Sequence, residues 1–401
     1  MKTLKSNRLH IGIFGKTNVG KSSFLNKITN QEVSITSEIA GTTTDIVEKS
    51  MELFPIGAVN FIDTAGLDDN TELGDKRIEK TLNTLPRIDV ATLIIDSDGF
   101  SELEKELITK FNELNIPYLV VINKFDINQI ETDKYNKILD YTNNIIETSA
   151  TSDENILDKY IESLIKILPE DFINPPSIIG DKINKTDNVI LVTPIDKEAP
   201  KGRLILPQVQ TIRDLLDNNC IVTVVQENNL KTALENLKTK PALVITDSQA
   251  FKEVNEIIPD DIPLTSFSII FARLKGDLKT FYQGALSIKN LKENDKVLLL
   301  ESCTHHTIED DIAREKIPKL LEKKLGVKLD FEYKSGHEFP PISGYKLIIH
   351  CGACMTNKKE VLSRILLSQK RNVPITNYGM AISYCLNILD RATQIFKPEI
   401  E

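Results

Sequence analysis

Residues 9 to 23, LHIGIFGKTNVGKSS, force a strand, a glycine-rich turn and a helix to follow one another in one short stretch. LHIGIF is an apolar run of strand length, and the residues after the turn carry helical spacing. Between them Gly15, Gly20, Lys21 and Ser22 satisfy the pattern G-x-x-x-x-G-K-Ser/Thr. Glycine lets the main chain wrap an anion, and exposed N–H groups at a helix N-terminus bind it. Backbone from Gly15 through Asn18, Val19, Gly20 and Ser23 would form the cradle, Lys21 would reach the outer phosphates and the Ser22 hydroxyl would ligate magnesium.

The rhythm then repeats. AVNFIDTAG, DVATLIIDSD and YLVVINKFD read as buried strands, each followed by a helical pattern, which predicts parallel βαβ units through about residue 167. Motifs stand at the strand ends. Asp63 of DTAG is placed to hold magnesium through water, and the Gly66 N–H to sense a γ-phosphate. In NKFD, Asn123, Lys124 and Asp126 close the base pocket, with Asp126 accepting from guanine N1–H and its amino group. Adenine offers no such pair, so the expected nucleotide is GTP. TSA, with Ser149 and Ala150, stands where a loop would cap the base. In AGTTTD, Thr43, or else Thr42, would close over magnesium as a switch segment. Lys21, Ser22, Thr43, Asp63, Gly66 and Asn18 are the expected catalytic set.

GKTNVGKSS, GTTTD and DTAGL together resemble the TrmE-Era branch of translation-factor-class GTPases. Asn18 matches the asparagine that helps hold K+ beside the phosphates in the potassium-activated members. Leu67 stands where Ras-like enzymes carry a water-positioning glutamine. The resemblance implies slow, potassium-stimulated hydrolysis.

At 401 residues the chain is long enough for several domains. PEDFINPPSIIGDKINKTDN breaks the rhythm and suggests a linker near 169 to 187. NVILVTPID, CIVTVVQ and PALVITDS are strands of a second block; KVLLLESC, LDFEY and YKLIIHCGAC are strands of a third. The expected fold class is α/β: a three-domain chain, with an N-terminal P-loop GTPase domain (1–170) and two smaller α/β domains with mainly parallel sheets (178–268 and 269–401). No sequence-level repeat is evident. No apolar run approaches the roughly 18 residues that span a bilayer, and the first residues lack a signal-peptide core, so a cytoplasmic protein is expected. A net charge of −9 argues against broad nucleic-acid binding.

Two apolar strands run straight into cysteine, at Cys303 and at Cys351 with Cys354. If the strands are parallel, both sites face one end of the sheet, where open α/β folds bind ligands. Three thiolates with histidines nearby suit a 4Fe-4S cluster with one iron held differently, or a zinc site. A redox pair is a further reading of the Cys-x-x-Cys alone. Cys220 and Cys385 are expected as core thiols, His10 and His337 as surface or loop residues; His306 has no assigned role. NLKTALENLKTK and KKEVLSRILLSQKR are expected to be solvated helix faces.

Cys303-x-His305 followed by His350-Cys351-x-x-Cys354, with DKEAPKGRLILPQVQTIRDLLD at 196 to 217, resembles the HydF family of iron-iron hydrogenase maturation. That resemblance covers nearly the whole chain. It implies a scaffold in which Cys303, Cys351 and Cys354 ligate a 4Fe-4S cluster, with His305 and His350 as candidates for the fourth position or for support. It further implies a transient diiron precursor as cargo, the radical-SAM maturases HydE and HydG and apo-hydrogenase as partners, and a homodimer or larger assembly through the middle domain. The alternative is a TrmE/Era-like GTPase of tRNA modification or ribosome assembly with a structural metal site.

Overall fold

The computed structural model describes residues 5–29, 47–64, 66, 72–97, 99–150, 155–173, 175–194, 204–302, 312–337 and 339–401. Thr42, Thr43, Leu67, Cys303, His305 and His306 lie outside these residues, so the expectations placed on them do too. The chain divides into two compact units, residues 1–175 and 176–401. Among the described residues no helix is long and apolar enough to cross a membrane.

Among the described residues the first unit has six strands: β1 (Leu9–Phe14), β2 (Val47–Leu53), β3 (Gly57–Asp63), β4 (Val90–Ile95), β5 (Tyr118–Ile122) and β6 (Ile145–Glu147). They lie in the order β2-β3-β1-β4-β5-β6. All neighbours are parallel except β2 against β3. β1, β4 and β5 are buried at every residue, as central strands covered on both faces must be, and this is why they read as continuous apolar runs. On one face Ile11, Ile13, Val90 and Val121 pack with Phe24, Ile28, Tyr160 and Leu164 of helices Lys21–Thr29 and Ile156–Ile167. On the other, Phe14, Leu93, Ile95 and Val120 pack with Leu107 and Phe111 of helix Glu102–Glu113. Edge strand β2, VEKSMEL, carries charges instead of an apolar run and gave no strand signal. His10, expected at the surface, is buried within β1: its N–H donates to Asp89 Oδ2 at 2.8 Å and its ring Nδ1 lies 3.2 Å from the Arg87 carbonyl.

Among its described residues the second unit holds two four-stranded sheets. The first contains β7 (Asn188–Val192), β8 (Ile221–Val225), β9 (Leu243–Thr246) and β10 (Leu264–Ser266); the second contains β11 (Lys296–Glu301), β12 (Asp330–Ser335), β13 (Leu347–His350) and β14 (Ile375–Asn377). Both are wholly parallel, and their orders, β8-β7-β9-β10 and β12-β11-β13-β14, are the same topology used twice. The repetition is one of topology, which the absence of a sequence-level repeat did not reveal. IPLTSFSIIFA (262–272) and VPITNYGMAIS (373–383) each set a proline, a three-residue strand and a polar N-cap before an aromatic helix start. Ser266 accepts from the Ile269 N–H at 3.3 Å, and Asn377 from the Met380 N–H at 2.9 Å.

One apolar cluster runs through both sheets. The boundary expected at 268 falls inside helix Phe267–Lys275, which packs on helix Leu206–Asp217 from one half and on helices Lys358–Lys370 and Tyr378–Cys385 from the other. The expected linker is also half built in. The Asp214 carboxylate accepts from the Ser177 hydroxyl and from the N–H groups of Ile178, Ile179 and Gly180 at 2.8 to 2.9 Å, fixing the start of the second unit. Helices Tyr378–Cys385 and Leu389–Thr393 are separated by a break at which Asn387 is left-handed (φ 62°).

Candidate functional site

The phosphate loop leaves the C-terminal end of β1. Gly15 (φ 144°) and Gly20 (φ 94°) take conformations that L side chains rarely adopt, and Asn18 is left-handed at φ 63°. A Cβ on Gly15 would stand 2.2 Å from the Ile94 carbonyl oxygen, and one on Gly20 2.3 Å from Asn123 Nδ2. The loop is thus wedged between β4 and the turn after β5. Lys21 Nζ donates to the carbonyls of Gly15 (3.0 Å) and Lys16 (2.6 Å), which holds its ammonium at the loop.

Asn123, 2 % exposed, ties three motifs together. Its Nδ2 donates to the Val19 carbonyl at 2.9 Å, and its Oδ1 accepts from the Ala150 N–H at 3.0 Å. The Phe125 N–H donates to the Thr148 carbonyl at 3.1 Å. Lys124 is left-handed (φ 63°) and pairs with Asp96 at 3.2 Å. Ser149 and Ala150 are buried beneath this turn, while Asp126 is exposed. A Cβ on Gly66 would lie 2.2 Å from Thr17 Oγ1, so the DTAG strand end touches the phosphate loop.

The arrangement fits magnesium. Asp63 Oδ1 is buried with no hydrogen-bond partner among the described residues, and the Ser22 hydroxyl bonds the same carboxyl group. Burial pushes the Asp63 carboxyl up to about 6 against the pull of Lys21 and Ser22. A buried carboxylate with an unused oxygen beside a hydroxyl is a hard donor set, which a divalent cation completes.

The cysteines lie in the second unit. β11 and β13 are adjacent and parallel, with Leu300 opposite His350, and the Cys351 N–H donates to the Leu300 carbonyl at 2.9 Å. Ser302, the residue before Cys303, donates its N–H to Cys351 Sγ at 3.2 Å, and its hydroxyl is 3.3 Å from the same sulfur. Cys351 and Cys354 open on one cavity of ≈ 200 Å³, walled by Ser248 after β9, Phe267, Ser268 and Ser302. The duplicated topology brings the C-terminal ends of both sheets to this cavity. Soft sulfur side chains at a cavity, with the Ser302 N–H donating to one of them, are a donor set that suits an iron-sulfur cluster. Among the described residues no three His, Cys, Asp or Glu side chains converge on one point, and Cys303 lies outside them. Cys220 is buried, and burial pushes the Cys385 thiol up to about 12, so both behave as core thiols.

His350 is 1 % exposed, and both ring nitrogens are engaged. Nδ1 lies 2.8 Å from the Cys351 carbonyl, and Nε2 lies 2.7 Å from Arg364 Nη1. Since a guanidinium can only donate, Nε2 accepts and the ring proton sits on Nδ1. Burial and the neighbouring Arg364 charge push the imidazole down to about 3, so it is neutral. In this geometry no ring nitrogen of His350 is left for a metal.

Arg364 and Glu360 overturn the expectation of a solvated helix face for KKEVLSRILLSQKR: both are buried and paired at 2.6 Å. Glu360 also meets His337 Nδ1 at 2.9 Å. Burial pushes Glu360 up, but His337 and Arg364 together leave it below the usual carboxylate range. Lys275, unmarked in sequence except by the glycine that follows it, is buried beneath the cysteine turn. Burial pushes it down to about 8, against the pull of Cys354, Cys351 and Glu360.

Known proteins divide along the same lines. Residues 10–124 match the family described as 50S ribosome-binding GTPase. The tRNA modification GTPase MnmE of Mesoplasma florum is 37% identical over 183 residues, 45% of this chain and 39% of that protein. GTPase Der of Campylobacter lari is 32% identical over 176 residues, 40% of this chain and 38% of that protein. The chain thus spans about two fifths of the length of these curated relatives. Crystalline Era of Aquifex aeolicus shares 22% identity, covering 56% of this chain and 97% of that one, with a TM-score of 0.35. Residues 178–276 match the hydrogen maturase F dimerization domain and 279–395 its tetramerization domain. These two matches run almost without a gap from residue 178 to 395, behind a GTPase domain, and the chain belongs to the hydrogen maturase F family, GTPases of hydrogenase maturation.

Proposed function

We propose that this protein is a GTP-hydrolysing scaffold that carries a 4Fe-4S cluster, receives a diiron precursor of the iron-iron hydrogenase active site and delivers it to apo-hydrogenase. The observation that carries the reading is the meeting of Cys351, Cys354 and Ser302, the neighbour of Cys303, at one cavity in a chain of this family. Cys303, Cys351 and Cys354 would hold the cluster. With only three thiolates, such a cluster would supply an iron open to an exogenous ligand. His305 remains a candidate beside it; His350, with both nitrogens engaged, orders the strand end and the Cys351 carbonyl. HydE and HydG are the proposed donors, and a homodimer or larger assembly the working form, supported by the dimerization and tetramerization matches.

Iron, sulfide and zinc content of the anaerobically reconstituted full chain tests this, beside a variant with Cys303, Cys351 and Cys354 changed to alanine. About four irons and four sulfides per chain, lost in the variant, are expected. One zinc without sulfide would sink the scaffold and leave the alternative, a GTPase of tRNA or ribosome biology with a structural metal site.

In the first unit Lys21 and the loop N–H groups neutralise phosphate charge, and Ser22, Thr43 and Asp63 would hold Mg2+ directly or through water. Asn18 would help hold K+, supplying the charge that an arginine finger supplies elsewhere. Turnover at equal ionic strength should be at least several-fold faster in potassium than in sodium; equal rates would remove this role from Asn18.

A further inference from the structure

The Cys351–Cys354 turn is held from below by a lysine of another element. Lys275 is the last residue of helix Phe267–Lys275, and the next position has room only for glycine, because a Cβ on Gly276 would stand 2.5 Å from the Phe281 ring. Its charge sits at the negative end of the helix dipole. The side chain is 4 % exposed. Nζ donates to the carbonyls of Ala353 (2.8 Å), Cys354 (3.3 Å) and Thr356 (2.8 Å). An ammonium has three N–H bonds and no acceptor, so these three carbonyls use its whole donor set. All three belong to four consecutive residues of one turn. Carbonyl dipoles aimed at one point repel one another unless a cation lies between them. Ala353 is moreover left-handed (φ 55°), a conformation that costs a non-glycine residue about 1 kcal/mol or more.

We propose that Lys275 is the positioning residue of the cysteine turn: its ammonium draws the three carbonyls inward, holds Ala353 left-handed and thereby aims the Cys351 and Cys354 sulfurs into one cavity. The turn geometry belongs to the metal-free protein. Its consequence for a cluster rests on the reading in the preceding subsection, so the two are tested separately.

Hydrogen–deuterium exchange on the metal-free full chain tests the first. In the native turn the Thr356 N–H donates to the Ala353 carbonyl, whereas the Cys351 N–H is held by the Leu300 carbonyl across the sheet. Lys275→Met should raise exchange across 352–357 at least tenfold while β13 keeps its wild-type protection. Lys275→Gln, with two N–H donors on a side chain one atom shorter, should fall between them, and it decides the matter if the methionine variant lacks the native circular dichroism. Wild-type exchange in the turn would overturn the proposal even if the wild-type chain holds a full cluster. The second arm is iron release to a chelator after anaerobic reconstitution, expected at least tenfold faster in the variant. Fast turn exchange with wild-type iron release would overturn the claim that the lysine aims the sulfurs. Fast turn exchange in a chain that binds no iron and sulfide would leave Lys275 as the holder of the turn and discard the cluster reading instead.

Discussion

Asp126→Asn should weaken GTP binding about 10³-fold, roughly 4 kcal/mol, and bring xanthosine triphosphate to within about tenfold of the wild-type affinity for GTP. Guanine presents two donors on one edge, N1–H and the exocyclic amine, and a carboxylate accepts both. An amide has one acceptor and one NH2, so one of the two contacts becomes donor against donor. The cost of burying unpaired donors then falls on the complex. Xanthine carries a carbonyl in place of that amine, and the amide pairs with it. The substitution leaves the pocket's frame alone: the two Asn123 amide bonds and the Phe125-to-Thr148 backbone bond hold the turn without the side chain at 126. Equilibrium titration of the full chain with fluorescent GTP and xanthosine triphosphate reads both arms. Unchanged GTP affinity would mean that the base is recognised elsewhere and that NKFD does not select guanine.

The nucleotide site was legible because its chemistry is done by backbone and by side chains at strand ends, where spacing in sequence is nearly spacing in space. Gly15 and Gly20 announce positive φ angles directly. The cysteine site was legible only to its first layer. Two apolar strands ending in cysteine predicted a shared sheet end, and β11 and β13 are parallel neighbours. What lies behind the cysteines comes from far along the chain or from a face that seemed solvated. Lys275 sits 76 residues before Cys351, and its role arises from where a helix ends rather than from any motif. Arg364 and Glu360 look like an exposed i,i+4 pair, because periodicity alone does not distinguish a charged stripe facing water from one facing a buried histidine. The duplicated sheets leave little trace in the sequence because strands of three residues, LTS and ITN, are too short to carry a period.

Arg364→Met should lower the stability of the second unit by about 3 to 5 kcal/mol, and its melting temperature by roughly 10 °C. The guanidinium is 1 % exposed and makes three contacts: Nη1 to His350 Nε2 at 2.7 Å, Nη2 to Glu360 Oε1 at 2.6 Å, and Nη2 to the Gly336 carbonyl at 2.9 Å. Methionine fills much of the volume, so the loss is electrostatic rather than a cavity. It strands the Glu360 carboxylate in the interior with only its outer partner, His337, and leaves His350 Nε2 without a donor. Arg364→Lys keeps the charge but not the planar fork that serves three acceptors in one plane, and should recover less than half of the loss. The decisive comparison is the double variant with Glu360→Gln. Once the carboxylate is gone the buried arginine is no longer needed to neutralise it, so the double variant should be less destabilised than the sum of the singles by at least 1 kcal/mol. Calorimetric unfolding of the four full-length chains measures the cycle, and strict additivity would mean that the pair contributes nothing beyond its separate contacts. Because His350 precedes Cys351 and bonds its carbonyl at 2.8 Å, the same variant should also loosen the strand end from which the first cysteine of the turn emerges. The charged pair on this helix would then brace the strand end that leads into the cysteine turn, as Lys275 holds the turn itself.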